Sequence, residues 1–80
     1  MPTLRALRKL ALLSIAELAA AVDVKRQAVW EWENGLTRPS PAHQRKLVKV
    51  LNLTPAELLQ ALEETAKERE KEGEKEQPAA

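Results

Sequence analysis

Helix start and stop signals recur at short intervals along this chain, and they limit most of its helices to a few turns. Ser14–Glu17 and Thr54–Glu57 each have the S/T-x-x-E pattern of a capping box, in which two side chains accept from each other's backbone N–H groups. Ser40–Pro41 places a capping serine before a proline at the first helical position, and Asn34–Gly35 is typical of a helix end. No alternation of β-branched and polar residues indicates a strand. The sequence therefore predicts an all-α fold of five helices.

The helix boundaries follow from these signals and from apolar residues at helical spacing. The predicted helices span about residues 3–12, 15–22, 25–33, 41–51 and 55–72. After Leu62 the chain is a run of charges, which predicts a solvated helical extension and, from Gly73 onward, a disordered end. We therefore predict a folded domain over residues 1–62, followed by a charged extension and disordered tail over residues 63–80.

Composition argues against an enzyme and against a metalloprotein. The 80 residues contain no Cys, no Tyr and one His. Disulfide scaffolds and thiolate zinc sites are thereby excluded, and most acid–base pairs are absent. We interpret His43 as a solvated surface residue because no second metal ligand is near it in the sequence. No cofactor and no metal site is expected.

The N-terminal stretch has early basic residues and apolar positions, as a secretory signal does. Glu17 interrupts its apolar region, and Leu4, Leu7 and Leu10 recur at helical spacing between basic residues. No stretch reaches the roughly 18 apolar residues that a membrane helix needs. We therefore interpret the segment as an amphipathic core helix and expect a cytoplasmic protein with no membrane partner.

The net charge of +1 hides an uneven distribution. Residues 1–62 carry nine basic and five acidic side chains, whereas residues 63–80 carry four basic and seven acidic ones. A basic domain indicates a polyanionic partner.

The second and third helices carry the functional signal. The predicted buried face of the third helix comprises Val24, Ala28, Val29 and Trp32. Its opposite face is polar, starts with a Lys-Arg pair and comprises Arg26, Gln27, Trp30, Glu31 and Asn34. Arginine can bridge guanine O6 and N7, and glutamine can bridge adenine N6 and N7. Two helices joined by a tight turn at Asp23–Val24, with such a face on the second, are typical of a helix-turn-helix DNA reader.

Several motifs resemble the Cro/repressor (XRE-like) helix-turn-helix family. They are Arg5 and Arg8, LS-x-x-ELA over residues 13–19, V-x-RQAV-x-x-WENG over 24–35, RPS over 38–40 and LVKVLNLTPAELL over 47–59. The resemblance covers about residues 3–62. It implies a compact five-helix repressor-like domain whose third helix enters the major groove of double-stranded DNA, usually as a homodimer.

The resemblance also implies roles for individual residues. The base-reading positions are occupied by Lys25, Arg26, Gln27, Trp30 and Glu31. The phosphate-contacting positions are occupied by Arg5, Ser14, Asn34 and Arg38, with the backbone N–H of Ile15 at the start of the second helix. Arg8 and Glu33 occupy an ion-pair position between the first and third helices, and we expect this pair to be partly buried.

Four residues depart from the family pattern. Ile15 stands where glutamine is common, which removes a polar DNA contact, and Asp23 replaces the glycine of the turn, where aspartate tolerates a left-handed backbone. Trp30 replaces a small polar residue: it packs against thymine methyls or sugar, lies along the protein surface, or contacts another subunit. Glu31 replaces a frequent lysine. It accepts from cytosine N4 or, as we favour, pairs with a nearby base such as Lys25.

We predict a sequence-specific DNA-binding transcriptional regulator, a repressor, that acts as a homodimer, because one recognition helix covers too few base pairs for useful selectivity. The resemblance places the dimer seam at Leu58, Leu59 and Leu62, although all three leucines could belong to a monomer's core. One alternative is an antitoxin-type DNA-binding protein whose charged tail folds on a toxin partner. Another is a protein-interaction adapter that uses Trp30 as its anchor.

Overall fold

Five helices pack around one core, as the sequence predicts. The computed structural model describes the backbone of residues 2–76 and the side chains of residues 2–70. Over that range it contains no strand and five α-helices: α1 (Leu4–Leu10), α2 (Ile15–Ala21), α3 (Arg26–Glu33), α4 (Pro41–Val50) and α5 (Pro55–Glu76). Within the same range, none of the helices combines the length and the apolar character that crossing a membrane requires.

Side chains cap the N-termini of α2, α4 and α5 at the positions that the sequence indicates. Ser14 Oγ accepts from the Glu17 N–H at 3.0 Å, and a Glu17 carboxylate oxygen accepts from the Ser14 N–H at 2.9 Å. Thr54 and Glu57 repeat this arrangement at 3.2 and 2.9 Å. Both predicted capping boxes are therefore confirmed, and Ser40 caps α4 as expected.

Four helices end at a residue with a left-handed backbone. These residues are Leu12, Asp23, Gly35 and Asn52, with φ values of 60°, 58°, 71° and 55°. After each of them, the next N–H bonds the carbonyl five positions earlier, as in a Schellman motif. The sequence predicts the left-handed turns at Asp23 and Gly35, and Asn52 is of a residue type that adopts this conformation readily. It gives no signal for Leu12, because a leucine pays a steric penalty in this conformation.

The core lies where the five helices meet. It comprises Leu4, Leu18, Ala19, Val22, Val29, Trp32, Leu47, Leu51, Leu58 and Leu62. The ring centroid of Trp32 lies 5.5 Å from that of His43, whose Nδ1 is 3.1 Å from Ser40 Oγ. His43, predicted to be a solvated surface residue, is thus solvated only in part: it is half-buried beside the core tryptophan, and its hydrogen bonds with Ser40 are exposed.

The last helix is longer and less isolated than the sequence indicates. It continues through Gly73 to Glu76, past the predicted end near residue 72, and the predicted domain boundary after Leu62 falls inside it. Thr65 is buried, and its Oγ1 accepts from the Leu4 N–H at 3.1 Å. The prediction of a fully solvated extension is wrong at this residue, because Thr65 caps α1. The disorder predicted from Gly73 onward is wrong for residues 73–76, whose backbone continues α5, and for residues 77–80 it lies outside the described residues.

Arg69 extends this contact to the end of α3. Its Nη1 donates to the Asn34 carbonyl at 3.4 Å, and its aliphatic stem lies over Gly35. A Cβ atom at Gly35 would stand only 3.1 Å from Arg69 Cδ. Glycine therefore provides both the left-handed turn after α3 and the space for α5 to approach it.

Candidate nucleic-acid interface

A groove opens between the N-terminal ends of α2 and α3, and we call it the α2–α3 groove. It is lined by Arg8, Ser14, Ile15, Ala16, Lys25, Arg26, Gln27 and Trp30. Apart from Arg8 and Ala16, all of these are residues for which the sequence predicts a DNA contact. The fold thus brings most of the predicted DNA-contacting residues onto one surface.

Helix α3 turns its apolar residues inward and its long polar residues outward. Val29 and Trp32 are buried, whereas Lys25, Arg26 and Gln27 are exposed. In the described part of the chain, neither Lys25 nor Arg26 forms an ion pair. Lys25 is also the N-cap residue of α3, and its side chain makes no capping hydrogen bond. The surface therefore presents two cations next to a positively polarised helix end, which favours an anionic partner.

An ion pair fixes α3 against α1. Arg8 Nε and Nη2 donate to the two carboxylate oxygens of Glu33 at 2.5 and 3.1 Å. Arg8 Nη1 donates to the Leu13 carbonyl at 2.9 Å. The two residues are only 8% and 5% exposed, a degree of burial that charged side chains rarely reach unless they are paired. The two hydrogen bonds between Arg8 and Glu33 fix the orientation of α3 about its own axis, and α3 forms one wall of the α2–α3 groove.

Two predicted phosphate contacts, Arg5 and Asn34, lie together at the C-terminal end of α3. Arg5 Nη2 donates to Asn34 Oδ1 at 3.4 Å, and its Nε lies 3.6 Å from a Glu33 carboxylate oxygen. Asn34 Nδ2 donates to the Trp30 carbonyl at 2.8 Å. Together with Glu33 and Arg69, these residues form a second cluster, which we call the α3 end cluster. It is built by α1, α3 and α5.

Glu31 and Arg38 lie neither in the α2–α3 groove nor in the α3 end cluster. Arg38 is exposed in the loop before α4, and Glu31 is half-buried on α3. Among residues 2–70, Glu31 forms no ion pair. The predicted pairing with Lys25 is therefore absent from the structure.

The carboxylate of Glu17 keeps its charge at the start of α2. The hydrogen bonds to the Ser14 backbone and then to the Ser14 side chain lower the pKa of Glu17 below its ordinary value. Thr54 lowers the pKa of Glu57 in the same way at the start of α5. A negative charge in the first turn also suits the helix dipole. An ionised Glu17 thus stabilises the start of α2, where Ser14, its hydrogen-bond partner, lines the α2–α3 groove.

The three leucines assigned to a dimer seam lie on two sides of α5. Leu58 and Leu62 belong to the core, and only Leu59 is exposed. Beside Leu59, a shallow groove between α4 and α5 is lined in part by Pro41, Val48 and Pro55. Leu58 and Leu62 are therefore not available to a second subunit, because the inward stripe of α5 is used within the chain.

Thr65 and Arg69 are functional contacts that the sequence does not predict. They follow Leu58 on α5 after seven and eleven residues, so they continue the helical stripe that Leu58 and Leu62 begin. A threonine methyl and an arginine stem can both cover apolar surface. Extending the stripe beyond its last leucine would have found both residues.

Comparison with known proteins agrees with this geometry. A family model described as helix-turn-helix matches residues 4–58, which is more than half of the chain. No match was found among curated proteins, and none was found among solved structures. The protein therefore belongs to the helix-turn-helix family of the Cro/repressor (XRE) type, a family of DNA-binding regulators.

Proposed function

We propose that this protein is a transcriptional repressor that reads double-stranded DNA by inserting α3 into the major groove. The observation that carries the proposal is the exposed start of α3. Lys25, Arg26 and Gln27 line one groove, and the two cations have no carboxylate partner in the described part of the chain. These side chains are of the types that bond base edges in the major groove.

Each polar side chain of α3 suits a particular base. Arg26 donates two hydrogen bonds to guanine O6 and N7, and Gln27 bridges adenine N6 and N7. Lys25 donates to guanine through its ammonium group. Glu31 accepts from the cytosine N4 amino group. This role is supported by the absence of an ion pair at Glu31 among the described residues.

The predicted phosphate contacts flank these base-reading residues. Arg5 and Asn34 bind the backbone near the C-terminal end of α3, and Arg38 does so from the loop that follows. Ser14 and the Ile15 N–H bind it from the α2 side of the groove. Contacts of this kind fix the register of a protein on the duplex without reading sequence.

The protein acts on DNA as a homodimer, because two recognition helices double the number of base pairs that are read. Leu59 supports a seam along α4 and α5. It is the one leucine of the predicted seam that remains exposed, and it borders the groove that contains Pro41, Val48 and Pro55.

The test combines fluorescence anisotropy on a random duplex pool over a salt series with selection of the tightest binders. We expect steep salt dependence and an enriched palindrome whose half-sites lie about 34–36 Å apart. Arg26→Ala should cost about 1–3 kcal/mol of binding free energy and relax one base position. Arg5→Ala should weaken all sequences alike and lower the salt slope by about one.

Lys46→Ala is the matched control, since it removes an exposed charge on α4 that lies outside the α2–α3 groove and outside the α3 end cluster. No binding at about 50 mM salt would reject DNA reading altogether. An unchanged operator preference in Arg26→Ala would remove Arg26 from the base-reading set. If the enriched operator contains no palindrome and sedimentation shows one chain bound per duplex, the homodimer proposal is rejected.

A further inference from the structure

The α2–α3 groove has an apolar corner beside its cations. Ile15 and Ala16 contribute to it from α2, and Trp30 contributes from α3. Trp30 is 44% exposed, whereas Val29 and Trp32 on the inner side of the same helix are buried. The core is thus completed without the Trp30 indole, whose apolar surface faces solvent inside a groove.

The charges around this corner restrict what can cover the indole. Lys25 and Arg26 border the same groove, and in the described part of the chain neither is neutralised by a carboxylate. An occupant must therefore be anionic overall and yet offer an apolar group. The major groove of DNA meets both conditions, because its floor carries one apolar substituent, the C5-methyl group of thymine.

We infer that Trp30, together with Ile15, forms a contact site for a thymine methyl group. This inference rests on the proposed function and adds a specificity determinant to it. Trp30 follows Arg26 by four residues, so the two side chains lie on one face of α3, about 6 Å apart along its axis. Base pairs are stacked about 3.4 Å apart. The contacted thymine therefore lies within about two base pairs of the base that Arg26 reads.

The experiment removes one methyl group at a time. The duplex enriched from the random pool is resynthesised with single thymine-to-deoxyuridine replacements, which delete the C5-methyl and leave base pairing unchanged. We expect one such replacement per half-site to weaken binding about fourfold, the value of one buried methyl-sized group. Replacements elsewhere should have no effect. In Trp30→Ala, the same replacement should cost much less, because the methyl has lost the Trp30 part of its contact.

Two further variants keep the experiment decisive. Leu10→Ala removes an exposed leucine outside the groove, and this variant should retain the full fourfold penalty. Trp30→Gln keeps a long side chain but ends it in a polar amide, so it serves if Trp30→Ala does not fold. Thermal unfolding of each variant, measured alone, verifies that it is folded.

The outcomes separate this inference from the proposed function. An enriched operator whose affinity is unaffected by every deoxyuridine replacement overturns the thymine site and leaves DNA reading intact. The same holds if the penalty persists in the Trp30 variant, or if Trp30→Ala changes the oligomeric state, which would make Trp30 a subunit contact. If no duplex binds at low salt, the proposed function fails and the thymine site fails with it.

Discussion

We expect Glu33→Gln to lower the free energy of unfolding by about 3 kcal/mol. The carboxylate accepts from Arg8 Nε and Nη2, and both side chains are almost completely buried. An amide retains one acceptor but turns its NH₂ group toward the guanidinium, so the Arg8 charge stays buried without a counterion. Removing one partner of a buried pair costs about 3–5 kcal/mol. We take the lower value because Arg8 Nη1 keeps its bond to the Leu13 carbonyl.

Thermal unfolding followed by circular dichroism measures this loss. A domain of this size loses about 4–8 °C in Tm per kcal/mol, so we expect Tm to fall by about 12–24 °C. The chain supplies its own control in Glu64, whose carboxylate lies 3.6 Å from Lys67 Nζ with side chains 29% and 64% exposed. Glu64→Gln makes the same chemical change in water. It should cost less than about 0.5 kcal/mol.

The reasoning is refuted if Glu33→Gln melts within the shift that Glu64→Gln produces. A second variant, Arg8→Met with Glu33→Leu, separates charge from packing. Because both charges leave together, it should recover much of the stability lost in the single variant. If the double variant is no more stable than Glu33→Gln, the loss comes from packing and not from an uncompensated charge.

Three further changes test other parts of the structure. Leu12→Gly should raise the free energy of unfolding in urea by about 0.5–1 kcal/mol, because Leu12 has φ 60° and is 88% exposed; a decrease would show that its side chain contributes contacts. Thr65→Val should lower the free energy of unfolding by about 1–3 kcal/mol, because the Leu4 N–H loses its acceptor. An unchanged Tm would contradict the role of Thr65 as a cap of α1. Glu17 and Glu57 have lowered pKa values in the folded protein. Their ionised forms therefore stabilise it above the ordinary glutamate pKa of about 4.3, and this contribution disappears as pH falls through the lower folded-state values. Replacing both by glutamine should flatten the acid side of a plot of Tm against pH, and an identical slope would reject this cause.

The features that the sequence predicts well are local. A capping box joins residues three positions apart, and the turn at Gly35 depends on that residue's own backbone freedom. The two faces of α3 follow from helical periodicity alone, which separates Arg26 and Gln27 from Val29. These signals are sufficient to predict the helix-turn-helix and the exposed face of α3, whereas the roles of Lys25, Ser14 and Ile15 in the α2–α3 groove come only from the family resemblance.

The features that the sequence analysis misses depend on contacts between distant positions. Thr65 meets the N–H of Leu4 across 61 residues, and nothing near either residue indicates the other. Leu58, Leu59 and Leu62 all look alike in the sequence. Only the packing of α5 on its neighbours decides that Leu59 alone is exposed. Periodicity identifies a stripe, but it does not tell which surface covers the stripe.

The stabilising ion pair and the proposed base-reading side chains involve different residues of α3, and this separation has a measurable consequence. Lys25, Arg26 and Gln27 are exposed, so substitutions there should change base preference with effects on stability within about 0.5 kcal/mol. Glu33, with Arg8, instead sets the rotation of the helix that presents them. A loss of about 3 kcal/mol from a typical stability of about 5–15 kcal/mol still leaves most molecules folded at 25 °C. Any loss of operator affinity in Glu33→Gln beyond its unfolded fraction would therefore report a rotated α3, and it should be larger for the operator than for random duplex, because base contacts and not phosphate contacts carry specificity.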